Sequence, residues 1–136
     1  MPPPMTAHVR LPGGDLEYAV LHEVWTRGEA TTREVYERVG RPRSVVYTTI
    51  AKVLDRLHAK GLVTRERAGK MFVYAPGRKR DVIERARVKD WVRRLLKPEA
   101  TPALARLVDA IDAMDPHLLD EFARLIEARR RSHHGS

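Results

Sequence analysis

Hydroxyl, short and basic side chains share one side of the helix that we predict over residues 44–60. With a step of about 100° per residue, the side opposite Ile50 and Leu57 carries Ser44, Thr48, Ala51, Lys52 and Asp55. Thr49 and Arg56 lie at one margin of this side, and Tyr47 lies near the other. Such side chains can approach the groove of a nucleic-acid duplex closely and hydrogen-bond to base edges or phosphates. An ordinary solvated helix face would look similar, so this face alone leaves both interpretations open.

Basic residues are concentrated around the same helix. The segment from Arg41 to Lys70 contains eight basic residues and two acidic ones. The basic residues come before the helix, along it, and in the hairpin after it: Arg41, Arg43, Lys52, Arg56, Lys60, Arg65, Arg67 and Lys70. A nucleic-acid duplex presents phosphates on both rims of its groove. Positive charge on both sides of the helix therefore favours a nucleic-acid partner over charges that serve only to keep the protein soluble. The net charge of +8 also favours a polyanionic partner.

Several other kinds of chemistry are disfavoured by the composition. The chain has no cysteine, which excludes disulfides, thiol nucleophiles and thiolate metal sites. Its six histidines lack the spacing of metal ligands, and its carboxylates fit helix caps and solvated faces. No apolar run approaches the roughly 20 residues that span a bilayer, and the first residues lack the apolar core of a signal peptide. We therefore predict a soluble, cytoplasmic protein that is not an enzyme and has no metal or cofactor.

Three helices and a hairpin are predicted in the first part of the chain. A helical period marks Asp15–Arg27, with Asp15 as N-cap and Gly28 as the stop. A capping box at Thr31–Glu34 opens a short second helix, and Gly40–Arg43 forms the turn after it. The third helix is predicted to begin at the N-cap Ser44 and to end at Gly61, with a core face made by Val46, Ile50, Val53, Leu54 and Leu57. Two strands, Leu62–Arg67 and Met71–Tyr74, then flank a turn at Ala68–Lys70.

The second part of the chain has a purely helical pattern. One helix is predicted from about Lys79 to Pro98, a second after the N-cap Thr101, and a third after the N-cap Asp115. Three short amphipathic helices bury their apolar stripes poorly alone, so we predict that a second copy of the chain covers them. The predicted dimerisation residues are Val88, Trp91, Val92, Leu95, Leu104, Leu107, Val108, Ile111, Leu119, Phe122, Leu125 and Ile126.

These elements together predict a mainly α fold with a small β wing. A winged helix-turn-helix domain over 14–77 is followed by a C-terminal helical dimerisation domain over 78–131. The proline-rich residues 1–13 are predicted to be a flexible leader. Residues 132–136 are predicted to be a disordered tail.

The sequence resembles the penicillinase-repressor family, which includes BlaI, MecI and copper-responsive CopY relatives. The resemblance rests on GDLEYAVLHEVW, on YTTIAKVLDRLHAKGLV, and on a basic wing that ends in FVYAP, between Gly14 and Pro76. It implies a homodimeric repressor bound to a palindromic operator in double-stranded DNA. By position, the residues expected to contact bases are Tyr47, Thr48, Thr49, Ala51 and Lys52, and those expected near the DNA backbone are Arg56, Arg65 and Lys70. The predicted DNA-binding set also includes Arg43 and Ser44.

Two departures from the family and two alternatives bear on regulation. The copper-responsive relatives hold their metal with C-terminal cysteines, which this chain lacks. Penicillinase repressors proper are inactivated by proteolysis that a membrane-bound receptor-protease triggers. The resemblance implies such a partner, but no motif here locates a cut. A MarR-like repressor that responds to a small ligand, and a winged-helix protein-interaction module that does not bind DNA, remain alternatives.

Overall fold

The computed structural model describes residues 9–135 of the chain. Its helices are α1 (Asp15–Arg27), α2 (Thr32–Val35), α3 (Tyr47–Ala59), α4 (Arg80–Leu96), α5 (Ala100–Met114) and α6 (Pro116–His134). Its strands are β1 (Ala30–Thr31), β2 (Val63–Ala68) and β3 (Met71–Pro76). A π-helical turn over Tyr36–Gly40 and a 3₁₀ turn over Arg41–Arg43 continue α2 toward α3. The predicted fold class, mainly helical with a small β wing, is confirmed.

The wing is part of a three-stranded antiparallel sheet in the order β1-β3-β2. The β2–β3 hairpin places Arg65 opposite Tyr74, and Tyr74 pairs with Ala30 of β1 on its other side. β1 was not predicted, because two residues are too few to show the alternation that marks a strand. Since Tyr74 is buried, the hairpin is fixed to the hydrophobic core at its middle.

The chain divides into two compact units that meet at Val88 and Lys89. The core of the first unit contains one face each of α1 and α3, together with Leu62 before β2, a residue of the sheet and one of α4: Val20, Leu21, Val24, Ile50, Val53, Leu54, Leu57, Leu62, Tyr74 and Ile83. The Trp25 indole N–H also donates to the carbonyl of Arg78, at 3.3 Å. The first unit therefore extends through part of α4, whereas the predicted domain boundary lies after residue 77.

Three helix starts differ from the predicted ones. Ser44 is not the N-cap of α3. It lies outside the helix with φ of 56°, in a turn in which its N–H donates to the Arg41 carbonyl and the next N–H donates to the Gly40 carbonyl. Asp15 is the first residue of α1 after Gly14, and Thr101 lies inside α5, whose N-cap is Glu99.

Two side-chain caps are confirmed. The Glu34 N–H donates to the Thr31 hydroxyl at 3.2 Å, and the Thr31 N–H donates to the Glu34 carboxylate at 2.9 Å. The Asp115 carboxylate accepts a bond from the His117 N–H at 2.9 Å. Both pairs satisfy N–H groups that a helix leaves unbonded at its start.

The base of the wing is tighter than its tip. Gly61 follows α3 with φ of +75°, and a Cβ atom on Gly77 would lie 2.6 Å from the Gly61 carbonyl oxygen. The Gly77 N–H also donates to the Leu62 carbonyl at 2.9 Å. At the tip, Gly69 has φ of +65° and open space where its Cβ would be.

Both predicted terminal segments need correction where the structure describes them. Val9 and Leu11 pack against the core, so the predicted flexible leader does not extend to residue 13. The part over residues 1–8 lies outside the described residues. At the other end α6 continues to His134, so the predicted disordered tail is wrong for residues 132–134. Within residues 9–135, no helix is long and apolar enough to cross a membrane.

Candidate nucleic-acid interface

One side of α3 is buried and the other is exposed. Ile50, Val53, Leu54 and Leu57 are in the core, as the helical period predicted. The opposite side presents Tyr47, Thr48, Lys52 and Arg56 as exposed residues, with Thr49 and Ala51 half-buried. Val46 was predicted to belong to the core face, but it is 62% exposed. It precedes the first turn of α3, so the helical period does not govern its direction.

An aromatic cluster surrounds the first residue of α3. The rings of Tyr36 and Tyr47 meet edge to face with centroids 5.7 Å apart. The guanidinium carbons of Arg33 and Arg41 lie 5.9 and 5.5 Å from the Tyr36 ring centroid. Glu37 joins the cluster, with a carboxylate oxygen 3.2 Å from Arg41. A hydrogen bond with Tyr36, and then the charge of Glu37, raise the pKa of Arg41. This cluster was not predicted from the sequence, and it orients Tyr47 at the start of the exposed face.

The turn before α3 holds two further residues of the predicted DNA-binding set. Arg43 donates from Nη1 to the Val39 carbonyl at 3.1 Å, which ties its guanidinium back toward the preceding turn. Ser44 is exposed in its left-handed conformation. Both residues are at the surface beside the start of α3, although neither caps it.

The wing is joined to α3 by an ion pair. Arg65 Nη1 on β2 lies 2.8 Å from Asp55 Oδ1 on α3. The guanidinium carbon of Arg65 also lies 4.4 Å from the ring centroid of Phe72 on β3. Arg67 approaches the same ring, at 5.6 Å. Lys70 is exposed in the turn at the wing tip.

One basic residue assigned to this surface by its position in the sequence belongs elsewhere. Lys60 Nζ lies 3.1 Å from the Glu17 carboxylate and donates to the Leu11 carbonyl at 3.2 Å. The Gly13 N–H donates to the same carboxylate. Lys60 therefore pairs inside the first unit, and its charge is compensated by α1. A helical period cannot reveal this, because the partners are more than 40 residues away in sequence.

The exposed side of α3 and the wing thus form one basic surface on the first unit. We call the exposed α3 residues Tyr47, Thr48, Lys52 and Arg56, together with the wing residues Arg65, Arg67 and Lys70, the α3–wing surface. Hydroxyls and cations of this kind suit phosphate oxygens and base edges. Within the described residues, no group of three or more His, Asp or Glu side chains is arranged to hold a metal ion.

Comparison with known proteins identifies the family. A family model described as penicillinase repressor matches residues 13–128, which is most of the chain. The chain belongs to the penicillinase repressor family. This confirms the resemblance drawn from the motifs between Gly14 and Pro76, and the match continues through α5 into α6.

Several named proteins are similar to parts of the chain. The chain is 44% identical over 69 residues to a transcriptional regulator BlaI of Mycobacterium tuberculosis, over 50% of each chain. The match thus spans about half the length of the curated relatives. The solved DNA-binding domain of the repressor BlaI has 26% identity and a TM-score of 0.49, covering 55% of this chain and 93% of that one. The CopR repressor structure has 28% identity and a TM-score of 0.42, covering 49% and 94%.

The family and its named relatives are transcriptional regulators and not enzymes. That agrees with the prediction of a non-enzymatic protein. The roles of individual DNA-binding residues stay predictions.

Proposed function

We propose that the chain is a cytoplasmic DNA-binding transcriptional repressor that acts as a homodimer on a palindromic operator. The observation that carries the proposal is the α3–wing surface, in a chain of the penicillinase repressor family. In this proposal α3 enters the major groove. The wing contacts the adjacent sugar-phosphate backbone.

The dimensions and chemistry of α3 support this role. Thirteen residues make a helix about 20 Å long, and the major groove admits one α-helix. Thr48 and Lys52 lie one turn apart on the exposed side, where they can reach neighbouring base pairs. Arg56 follows one turn later and suits a phosphate contact, as does Lys70 at the wing tip.

The apolar surface of the second unit supports a homodimer. Among the described residues from Lys89 onward, only Ala103 is buried. Trp91, Leu104 and Leu125 are exposed, and several of the other predicted dimerisation residues are exposed too. A second copy of the chain is the occupant that we propose for this surface. Two-fold symmetry then requires a palindrome, with half-sites about one helical turn, or a small multiple of it, apart.

Selection of a bound duplex from a random DNA pool, followed by gel-shift titration, tests the proposal. Lys52→Ala is expected to weaken binding to the selected duplex about tenfold or more, because it removes a groove contact. Arg106→Ala removes one positive charge from the exposed surface of α5 and is expected to bind like the wild type. Equal binding by wild type and Lys52→Ala would contradict the assignment of α3. Failure to select any duplex would favour the protein-interaction module instead.

A further inference from the structure

Asp55 is an unexpected residue on a surface that is meant to approach phosphates. Its side chain is 64% exposed on the same side of α3 as Lys52. An unpaired carboxylate there would repel DNA. Its oxygen instead lies 2.8 Å from the Arg65 guanidinium, so the charge is compensated by the wing.

Arg65 is held by more than the ion pair. Only 28% of its side chain is exposed, and its guanidinium lies over the Phe72 ring. A side-chain hydrogen bond with Tyr74 makes the largest contribution to raising the pKa of Arg65, and the hydrogen bond to Asp55 raises this pKa further. Tyr74 itself is buried and stands opposite Arg65 in the hairpin. Arg65 thus connects α3, both wing strands and the edge of the core.

We propose that Asp55 and Arg65 form a positioning pair that fixes the wing relative to α3 for DNA binding. The inference rests on the proposed function, and it changes the expected role of Arg65. A guanidinium that is engaged by Asp55 and stacked on Phe72 orients the hairpin. The backbone contacts of the wing then fall to Arg67 and Lys70.

Two accounts of Asp55 predict opposite signs for Asp55→Asn. If Asp55 acts only through its charge, the substitution removes a repulsive carboxylate and DNA binding becomes tighter. If Asp55 positions the wing, the substitution releases the hairpin and binding becomes weaker. Because an exposed ion pair of this kind contributes only modestly, the substitution is expected to lower the affinity for DNA about three- to fivefold.

The matched control is Glu66→Gln, which removes the other acidic residue of the Arg41–Lys70 segment. Glu66 is exposed on β2. Its replacement is expected to leave binding unchanged or to tighten it, because only a negative charge is lost. The probe is the duplex that the wild type selects from a random pool, titrated at one fixed salt concentration.

A double-mutant cycle ties the effect to the pair. Arg65→Met keeps an apolar stem over Phe72 and removes the charge. In that background, Asp55→Asn is expected to cost nothing further, and Asp55→Glu in the wild-type background is expected to restore most of the affinity. Binding by Asp55→Asn that equals or exceeds the wild type would overturn the inference. So would an equal loss in both backgrounds.

Hydrogen exchange of the β2 and β3 amides, measured without DNA, separates this inference from the proposed function. Faster exchange in Asp55→Asn than in Glu66→Gln is expected, and equal rates would overturn the positioning role. If the wild type binds no duplex but the exchange differs as expected, the proposed function fails while the pair still fixes the wing.

Discussion

The ammonium of Lys60 lies 3.1 Å from the Glu17 carboxylate and so ties the end of α3 to the first turns of α1. The two side chains are 18% and 9% exposed, so the pair is largely removed from water. The Leu11 carbonyl and the Gly13 N–H complete its hydrogen bonds. This arrangement also fixes the chain segment that enters α1.

Replacing Glu17 is therefore expected to destabilise the first unit. Glu17→Ala should lower the free energy of unfolding by about 2 to 3 kcal/mol, because it leaves a largely buried ammonium without its carboxylate. Urea titration followed by circular dichroism measures the change. Glu29→Ala, at an exposed acidic residue, is the control and should change stability by less than about 0.5 kcal/mol. Equal effects of the two substitutions would contradict the structural importance of the pair.

The capping box predicts a pH dependence of stability. A hydrogen bond from the backbone N–H of Thr31 holds the pKa of the Glu34 carboxyl below its usual range, and Arg27 lowers it further. Because the folded pKa is the lower one, this stabilisation is complete above pH 4.5 and is lost as the pH falls through the folded pKa. Thermal unfolding of Glu34→Gln should therefore show a lower Tm than the wild type at pH 7. The difference should shrink as the pH falls through the folded pKa of Glu34. A difference that is constant over this range would argue against an ionised cap.

Two valines that were both predicted to lie on the core face of α3 should behave differently. Val53→Ala is expected to cost about 2 kcal/mol, because Val53 is 1% exposed and the substitution leaves a cavity. Val46→Ala makes the same chemical change at an exposed position and should cost less than about 0.5 kcal/mol. Urea titration of both variants measures the contrast. Similar losses would mean that Val46 is buried in solution.

The proposed homodimer can be tested at one exposed leucine. Leu104→Glu should raise the dimer dissociation constant by about 100-fold or more, because it would bury an unpaired charge in the interface. Analytical ultracentrifugation measures the change. Ala113→Glu adds the same charge about 180° around α5 and should leave the dimer intact. A Leu104→Glu variant that sediments like the wild type would exclude this face of α5 from the interface.

The sequence predicts well what depends on local periodicity. Ile50, Val53, Leu54 and Leu57 recur at the spacing of a helix face, and all four are buried. The stop at Gly61 is equally local, because its positive φ suits a residue without a Cβ.

The features that the sequence does not predict depend on irregular turns or on contacts between residues that belong to different elements. Serine is a residue type that is favoured at N-caps. The 3₁₀ turn that precedes Ser44, however, holds this residue in a left-handed conformation outside the helix. The pairing of Asp55 with Arg65 joins two elements whose angle no helical period specifies. Lys60 is a second example, because its partner Glu17 lies on α1, 43 residues away in the sequence.

The two ends of the wing differ in how much change they can accept. At the base, a side chain on Gly77 would collide with the carbonyl oxygen of Gly61, so this position accepts only glycine. At the tip, the space around Gly69 is open. Insertions and substitutions between β2 and β3 can therefore alter the reach of the wing while its attachment stays constant. Under the proposed function, the number of backbone contacts that the wing makes can therefore change at its tip without any change in the core.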